Sequence, residues 1–273
     1  MKKILVTLVM VIGLCGGNAY ATKDPGSSRL FTTSKCFDLI SSIQYFDKIK
    51  DNSHFCHLTT DSTFMHHLEQ INERVTASKL CNFYAIFNDD RNDIDACIHF
   101  FASLHDSETG NPDNPEWIKN IIGLQPQLTY CLSAINKSGY SRYWDLGINP
   151  VLTGYIDSYE VSAEILNTIH EAMTEFSGPE GLSETHSNIY VLNIDNAFNL
   201  SDESFCCTPL LLDKEMEKQF RLDFLKVYIH ENLHRLKISD TLMKRLEELK
   251  ADDFYKENEA IASNHREGLN EAF

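Results

Sequence analysis

Apolar residues recur three and four positions apart over much of the chain, which is the spacing that places them on one face of a helix. This pattern predicts helices over residues 62–75, 117–122, 128–135 and 159–176. In the last of these, the apolar face is formed by Val161, Ile165, Leu166, Ile169 and Met173. Gly178 and Pro179 follow directly, and we expect them to end that helix.

Residues 188–195 (NIYVLNID) carry a different pattern. They are rich in β-branched and aromatic side chains, have the length of a strand and are bounded by polar residues, so they predict a β-strand. Two more helices are predicted over 213–236 and 241–264, with a turn at Ser239 and Asp240 between them. We therefore predict an α+β fold that is predominantly helical, in which a small sheet precedes the last two helices.

The first 21 residues have the layout of a secretory signal peptide. Lys2 and Lys3 precede an apolar run over 4–14, and the segment ends with Ala19 and Ala21. No later apolar run approaches the roughly 18 residues that a membrane span needs. We expect a soluble mature protein, periplasmic or extracellular, with no membrane anchor after cleavage.

Turn-forming residues concentrate at 107–115 and at 147–154. This composition predicts a cysteine-containing N-terminal region over 22–150 and a second region over 151–273. A single compact domain fits the same composition nearly as well.

The net charge limits the classes of binding partner, and the cysteine content indicates disulfides. The formal net charge of −16 disfavours binding to nucleic acid or to an anionic membrane surface. Seven of the eight cysteines follow residue 21, and in an exported protein they predict disulfides with an odd thiol left over. The histidines and the cysteine within 54–67 offer an alternative, a second metal cluster.

The sequence HENLH supplies the strongest chemical signal. His230 and His234 are four residues apart, so on a helix they lie on one face about 6 Å apart and reach the same metal ion. Glu231 is next to the first histidine and reaches a water on that ion, which is the position of a general base. The surrounding residues are mostly apolar, and buried histidines and carboxylates require a partner.

The segment 227–236 (VYIHENLHRL) resembles the signature helix of the zincin zinc metallopeptidases. The resemblance implies one Zn²⁺ per chain, bound by His230 and His234, with Glu231 as the general base. Glu259 lies in the sequence NEAIA, which is similar to the N-E-x-x-[SA] element that supplies the glutamate ligand in gluzincins. The resemblance therefore implies Glu259 as the third zinc ligand.

Asp240 is the alternative third ligand, because metzincins place theirs six residues after the second histidine. Lys237, however, stands where those proteins have a glycine that turns the chain. The chain also departs from thermolysin-like gluzincins at Ser263, where they carry an aspartate that orients a histidine.

The resemblance implies an exported zinc metalloendopeptidase acting on protein or peptide substrates, similar to small secreted bacterial effector and toxin proteases. It also implies that residues 188–195 form an edge strand that pairs with the substrate, with an interior core strand as the alternative. Two other functions fit the same residues: a non-catalytic exported zinc-binding protein and a zinc hydrolase of non-peptide amides. A fourth protein ligand would favour the first, and a substrate screen separates the second from a peptidase.

Overall fold

The structure is a computed structural model of the chain. It describes residues 30–104, 115–159, 163–177, 188–200, 204–212 and 218–233, together with residue 244. The helices are α1 (Lys35–Ser41), α2 (Ser62–Asn72), α3 (Ala77–Phe87), α4 (Ile94–Ala102), α5 (Glu116–Gly123), α6 (Gln125–Lys137), α7 (Tyr140–Tyr143), α8 (Asn149–Ser158), α9 (Ala163–Ser177) and α10 (Lys218–Leu233). The strands are β1 (Phe31–Thr32), β2 (Asn188–Val191), β3 (Phe198–Asn199) and β4 (Ser204–Cys207). Short 3₁₀-helices cover Phe46–Lys48, Cys56–Thr60 and Pro209–Leu212, and a π-helix covers Trp144–Ile148.

The fold is α+β and mostly helical, as predicted, with one small mixed sheet. The strands lie in the order β1-β2-β4-β3, where β2 is parallel to both β1 and β4 and β3 is antiparallel to β4. Every residue of β4 is buried. The sheet is therefore covered on both faces along this strand, which is typical of parallel pairing.

Contacts divide the chain into two units. One unit contains α9 and α10 among its described residues. The other contains 29–159 together with 188–214, so all four strands belong with the helices α1 to α8. Residues from both sides of position 150 therefore share one unit.

Side-chain caps explain where the N-terminal helices begin. Ser34, Asp61, Thr76 and Asp93 precede α1, α2, α3 and α4, and each side chain accepts a hydrogen bond from a backbone amide of the first helical turn. Such a cap satisfies an amide that has no partner within the helix, and it is worth about 1 kcal/mol. These four residues fix the helix starts locally.

Helix α6 packs against both α2 and α4. Its core-facing side chains are fully buried: Leu128, Cys131, Leu132 and Ile135. Aromatic rings join α3 to α4, with ring centroids 5.6 Å apart for Phe83 and Phe100 and 6.2 Å apart for Tyr84 and Phe101. The helical core is therefore aliphatic around α6 and aromatic between α3 and α4.

Asp38 is a buried carboxyl group that connects three parts of this unit. It lies on α1 and is only 3% exposed. Trp144 Nε1 donates to its Oδ2 at 2.8 Å, and the backbone N–H of Asn193 donates to its Oδ1 at 2.7 Å. Burial raises the pKa of Asp38 to about 7, and the two N–H donors oppose that rise.

Lys35, the first residue of α1, connects this helix to the π-helix. Its Nζ lies 2.7 Å from Asp145 Oδ1 and 3.2 Å from Ser141 Oγ. The same ammonium group is 5.2 Å from the centroid of the Trp144 ring, within cation–π range. Trp144 is therefore fixed through its indole N–H by Asp38 and over its ring by Lys35.

The turn-forming composition of 147–154 does not correspond to a turn, because these residues are helical. A Cβ on Gly147 would lie 3.3 Å from Cε2 of Tyr143, so this glycine permits a close approach between the π-helix and that ring. Pro150 lies in the first turn of α8, where its missing N–H costs nothing.

The predicted elements at 62–75, 117–122 and 128–135 are confirmed as α2, α5 and α6. Of the predicted helix 159–176, residues 163–176 are helical, and on them Ile169 and Met173 are buried, whereas Tyr159 is extended and follows the end of α8. The predicted strand 188–195 is shorter, because β2 ends at Val191. Beyond it the Asn193 amide donates to Asp38, which takes the backbone out of the sheet.

The structure bears on two expectations, one about membrane-spanning helices and one about disulfides. No helix within the described ranges has the length and apolar character needed to cross a bilayer. All seven cysteines after residue 21 fall in those ranges, and none of them is joined to another at disulfide distance. The expected disulfides therefore stay a prediction.

Asp38→Asn tests the buried carboxyl group. Because the pKa of Asp38 is about 7 in the folded protein and near 3.8 when unfolded, the folded state binds the extra proton between these values. The free energy of unfolding is then expected to fall by about 4 kcal/mol as the pH rises from 4 to 7, and Asp38→Asn removes this fall. Urea unfolding followed by circular dichroism at several pH values measures it.

The control for this variant is Asp145→Asn, which removes an exposed carboxylate from the adjacent π-helix. It is expected to keep the pH dependence of the wild type. Parallel pH profiles for Asp38→Asn and the wild type would contradict the assignment.

Candidate functional site

Helix α10 carries the first part of the HENLH motif. It spans Lys218–Leu233, so His230 and Glu231 lie in its last turn. His234, Asp240 and Glu259 lie outside the described residues, as does the predicted helix over 241–264 apart from residue 244, which is helical. The structure therefore tests the placement of the first histidine and of the proposed general base.

The sequence of α10 favours an uninterrupted helix. It contains no glycine or proline over 218–233. Phe224 and Tyr228 are four residues apart, both are buried, and their ring centroids are 6.1 Å apart. These two aromatic side chains mark the side of α10 that faces the interior.

Glu231 lies on this interior side. Successive helical residues are about 100° apart, so Phe224, Tyr228 and Glu231 project within about 60° of one another. The side chain of Glu231 is accordingly buried, with 5% exposure. A hydrogen bond to a carboxylate in such a place is electrostatically stronger than the same bond in water.

His230 projects to a different side of the helix. It is about 100° from Glu231, and its exposure is intermediate. Lys226, one turn earlier and close to the same side, is exposed. His230 therefore borders solvent while Glu231 borders the interior, and a molecule approaching the imidazole meets an accessible edge of the helix.

Asn232 occupies the variable position after Glu231 and is fully buried. Its Nδ2 donates to the backbone carbonyl of Tyr228 at 2.8 Å. The helix itself thus accepts from this buried amide. Asn232 has a structural role in α10 that needs no metal.

The described residues do not contain a complete metal site. No three His, Cys, Asp or Glu side chains lie close enough together there to hold an ion. This result covers the alternative cluster within 54–67, where His57 Nε2 lies 3.3 Å from Ser138 Oγ and His67 Nδ1 lies 3.3 Å from Gln70 Oε1. The second metal cluster considered from the sequence is therefore not formed.

Strand β2 does not offer a free edge for a substrate. Ile189 is opposite Phe31 of β1 on one side and opposite Phe205 of β4 on the other. The expectation that 188–195 is a substrate-pairing edge strand is therefore wrong, and the interior-strand alternative is confirmed. The sheet ends at β1 instead.

A cavity of about 510 Å³ lies beside β1 and was not expected from the sequence. Its lining is mostly polar and includes Thr32, Thr33, Asp89, Asn92, Thr153 and Asn188. These residues come from two strands, the α3–α4 connection and α8, so no local sequence pattern marks them as neighbours. The cavity has room for a small polar molecule.

The chain matches no known protein family, no curated protein and no solved structure.

Two substitutions test the orientation of α10. Phe224→Ala removes a fully buried ring and is expected to cost about 3–5 kcal/mol of stability. Lys226→Ala, two residues away on the exposed side, is expected to change stability by less than about 0.5 kcal/mol. Thermal unfolding followed by circular dichroism compares the two, and equal effects would show that the helix faces the interior with another side.

Proposed function

We propose that the protein is an exported zinc metalloendopeptidase, with His230, His234 and Glu259 as zinc ligands and Glu231 as the general base. The observation that supports this proposal is the difference in exposure between two neighbouring side chains on α10. Its motif places a buried carboxylate, Glu231, directly beside an imidazole, His230, that borders solvent. A hydrolytic site requires both a partly desolvated base and an approach for the substrate.

The residues present fit a zinc ion in their chemistry. Neutral imidazole is a common zinc ligand, and two histidines with one carboxylate leave a fourth position for water. The intermediate exposure of His230 leaves its side of α10 accessible. A closed structural site would instead complete the coordination of the zinc with four protein ligands, His230 among them.

Zinc, when bound, would acidify a water molecule and polarise the carbonyl of the scissile bond. Glu231 accepts a proton from the attacking water and later donates it to the nitrogen of the leaving amine. Its burial supports this role, because bulk water competes little for the carboxylate oxygens there. Anchoring on the interior side of α10 also fixes the direction of the carboxylate.

Protein or peptide substrates are proposed because the motif resembles that of endopeptidases. The finding that β2 is an interior strand removes one expected way of binding a peptide backbone. The substrate is therefore proposed to be held by side-chain contacts near α10 or by a different strand edge.

Glu231→Gln tests the function directly. The amide keeps the shape of the side chain but does not accept a proton, so the variant is expected to keep about one zinc per chain. Its cleavage rate is expected to fall by roughly 10²- to 10⁴-fold. Elemental analysis of the purified mature chain gives the zinc content, and a broad peptide library read by mass spectrometry gives the cleavage.

Glu171→Gln is the matched control. Glu171 also follows a histidine, His170, and is exposed on α9, but Thr174 stands where a second histidine would be needed. This control is expected to keep both zinc and activity. A wild type without zinc would refute the proposal, whereas a wild type with zinc and no cleavage would favour the non-catalytic zinc-binding protein or the hydrolase of non-peptide amides.

A second pair of variants identifies the third ligand. Glu259→Gln is expected to weaken zinc binding by more than about 100-fold, since loss of even an outer hydrogen-bond partner costs 10- to 100-fold. Asp240→Asn is expected to leave the zinc affinity unchanged. Competition with a chelating indicator measures both, and the opposite ranking would make Asp240 the ligand.

A further inference from the structure

Three cysteines are buried close together where α1, α3 and α4 meet. Cys36, Cys81 and Cys97 come from these three helices in order and have no exposed surface. The hydroxyl of Tyr84 lies 3.9 Å from the sulfur of Cys36. We call these three residues the thiol cluster.

Within the thiol cluster, Cys36 and Cys97 share a single hydrogen-bond acceptor. The sulfur of Cys36 donates to the backbone carbonyl of Asp93 at 3.3 Å, and the backbone N–H of Cys97 donates to the same oxygen at 2.9 Å. The Cys36 sulfur therefore lies within two hydrogen-bond lengths of the Cys97 backbone.

The third member of the cluster is held elsewhere. The sulfur of Cys81 lies 3.5 Å from Ser41 Oγ and donates to the carbonyl of Phe37 at 3.7 Å. Both partners belong to α1 but lie beyond Cys36 along the helix. Cys81 is therefore directed to Phe37 and Ser41, whereas Cys36 and Cys97 meet at the Asp93 carbonyl.

We propose that Cys36 and Cys97 form a disulfide bond that fastens α1 to α4. The Asp93 carbonyl that both residues bind and the packing of α1 against α4 place them on facing helices. The proposal is independent of the zinc site, because neither cysteine belongs to the unit that contains α10.

The reaction requires an oxidant, which we take to be a small-molecule or protein disulfide. Each cysteine gives up one proton and one electron as its S–H bond breaks and the S–S bond forms. The S–S bond of the oxidant breaks, and it leaves as two thiols that carry the two protons and the two electrons.

Burial also determines when the bond forms. Loss of solvent raises the pKa of the Cys97 thiol well above its usual value, so very little of the Cys97 thiolate is present in the folded protein. Oxidation is therefore fast in the unfolded chain and slow after the thiol cluster is buried.

Tryptic mapping tests the pairing, because cleavage after lysine and arginine separates all three cysteines. Cys36 falls in peptide 36–48, Cys81 in 80–91 and Cys97 in 92–119. The chain is unfolded, reduced, refolded with oxidised glutathione, blocked with N-ethylmaleimide and digested. The expected result is peptide 36–48 linked to 92–119, with 80–91 recovered in its blocked form.

Either of two results overturns the proposal: a link from 80–91 to one of the others, or recovery of 36–48 and 92–119 with blocked thiols. Cys36→Ser is expected to free 92–119, whereas Cys56→Ser, which removes an exposed cysteine, is expected to leave the link in place. Reduction of the wild type is expected to lower the Tm by roughly 10 °C, and this shift is expected to be absent in Cys36→Ser. Should Cys36→Ser fail to refold, the map of the wild type decides alone.

Discussion

The sheet-containing unit depends on how one buried charge-bearing group is satisfied. A carboxyl group without solvent is costly unless N–H donors replace the lost water, and Asp38 has two of them. One donor is the indole of Trp144, at the start of the π-helix, and the other is the backbone of Asn193, just after β2. A single side chain thereby sets the position of α1 relative to both. Removal of either donor would take a hydrogen bond away from one oxygen of a carboxyl group that lies in an apolar interior.

The sequence predicts those elements whose burial follows a local pattern, and it misses those whose burial depends on tertiary contacts. Helices α2, α5 and α6 have a polar side and an apolar side, so their periodicity is visible. Helices α1 and α3 (CFDLIS and LCNFYAIF within them) are buried around much of their circumference, and a helix buried in this way has few polar positions to mark its period. The strand at 188–195 was predicted too long because the bond from Asn193 to Asp38 is a tertiary contact. No local pattern signals it.

In the candidate site, too, the spacing of residues within one helix is predictable from the sequence, whereas their burial by other parts of the chain is not. The spacing of His230 and Glu231 is a property of one helix, and the sequence placed them on it correctly. The side of α10 that faces inward depends on its neighbours, and the structure adds that Glu231 is buried whereas His230 is only partly so. The expected edge strand was wrong for a related reason. Its partner β1 is only two residues long, too short for any pattern to predict, yet it is enough to cover one side of β2.

The sheet and the Asp38 site join segments that are far apart along the chain. Strand β1 lies near residue 31, but its ladder partner begins at Asn188, and the bond from Asn193 to Asp38 joins residues 155 positions apart. A ribosome releases the first of these segments long before the second. Helices α1 to α8 alone supply only one of the two donors to Asp38 and leave β1 without its ladder partner. Such long-range closure is slow, and it leaves the nascent chain open to aggregation and proteolysis until β2 arrives.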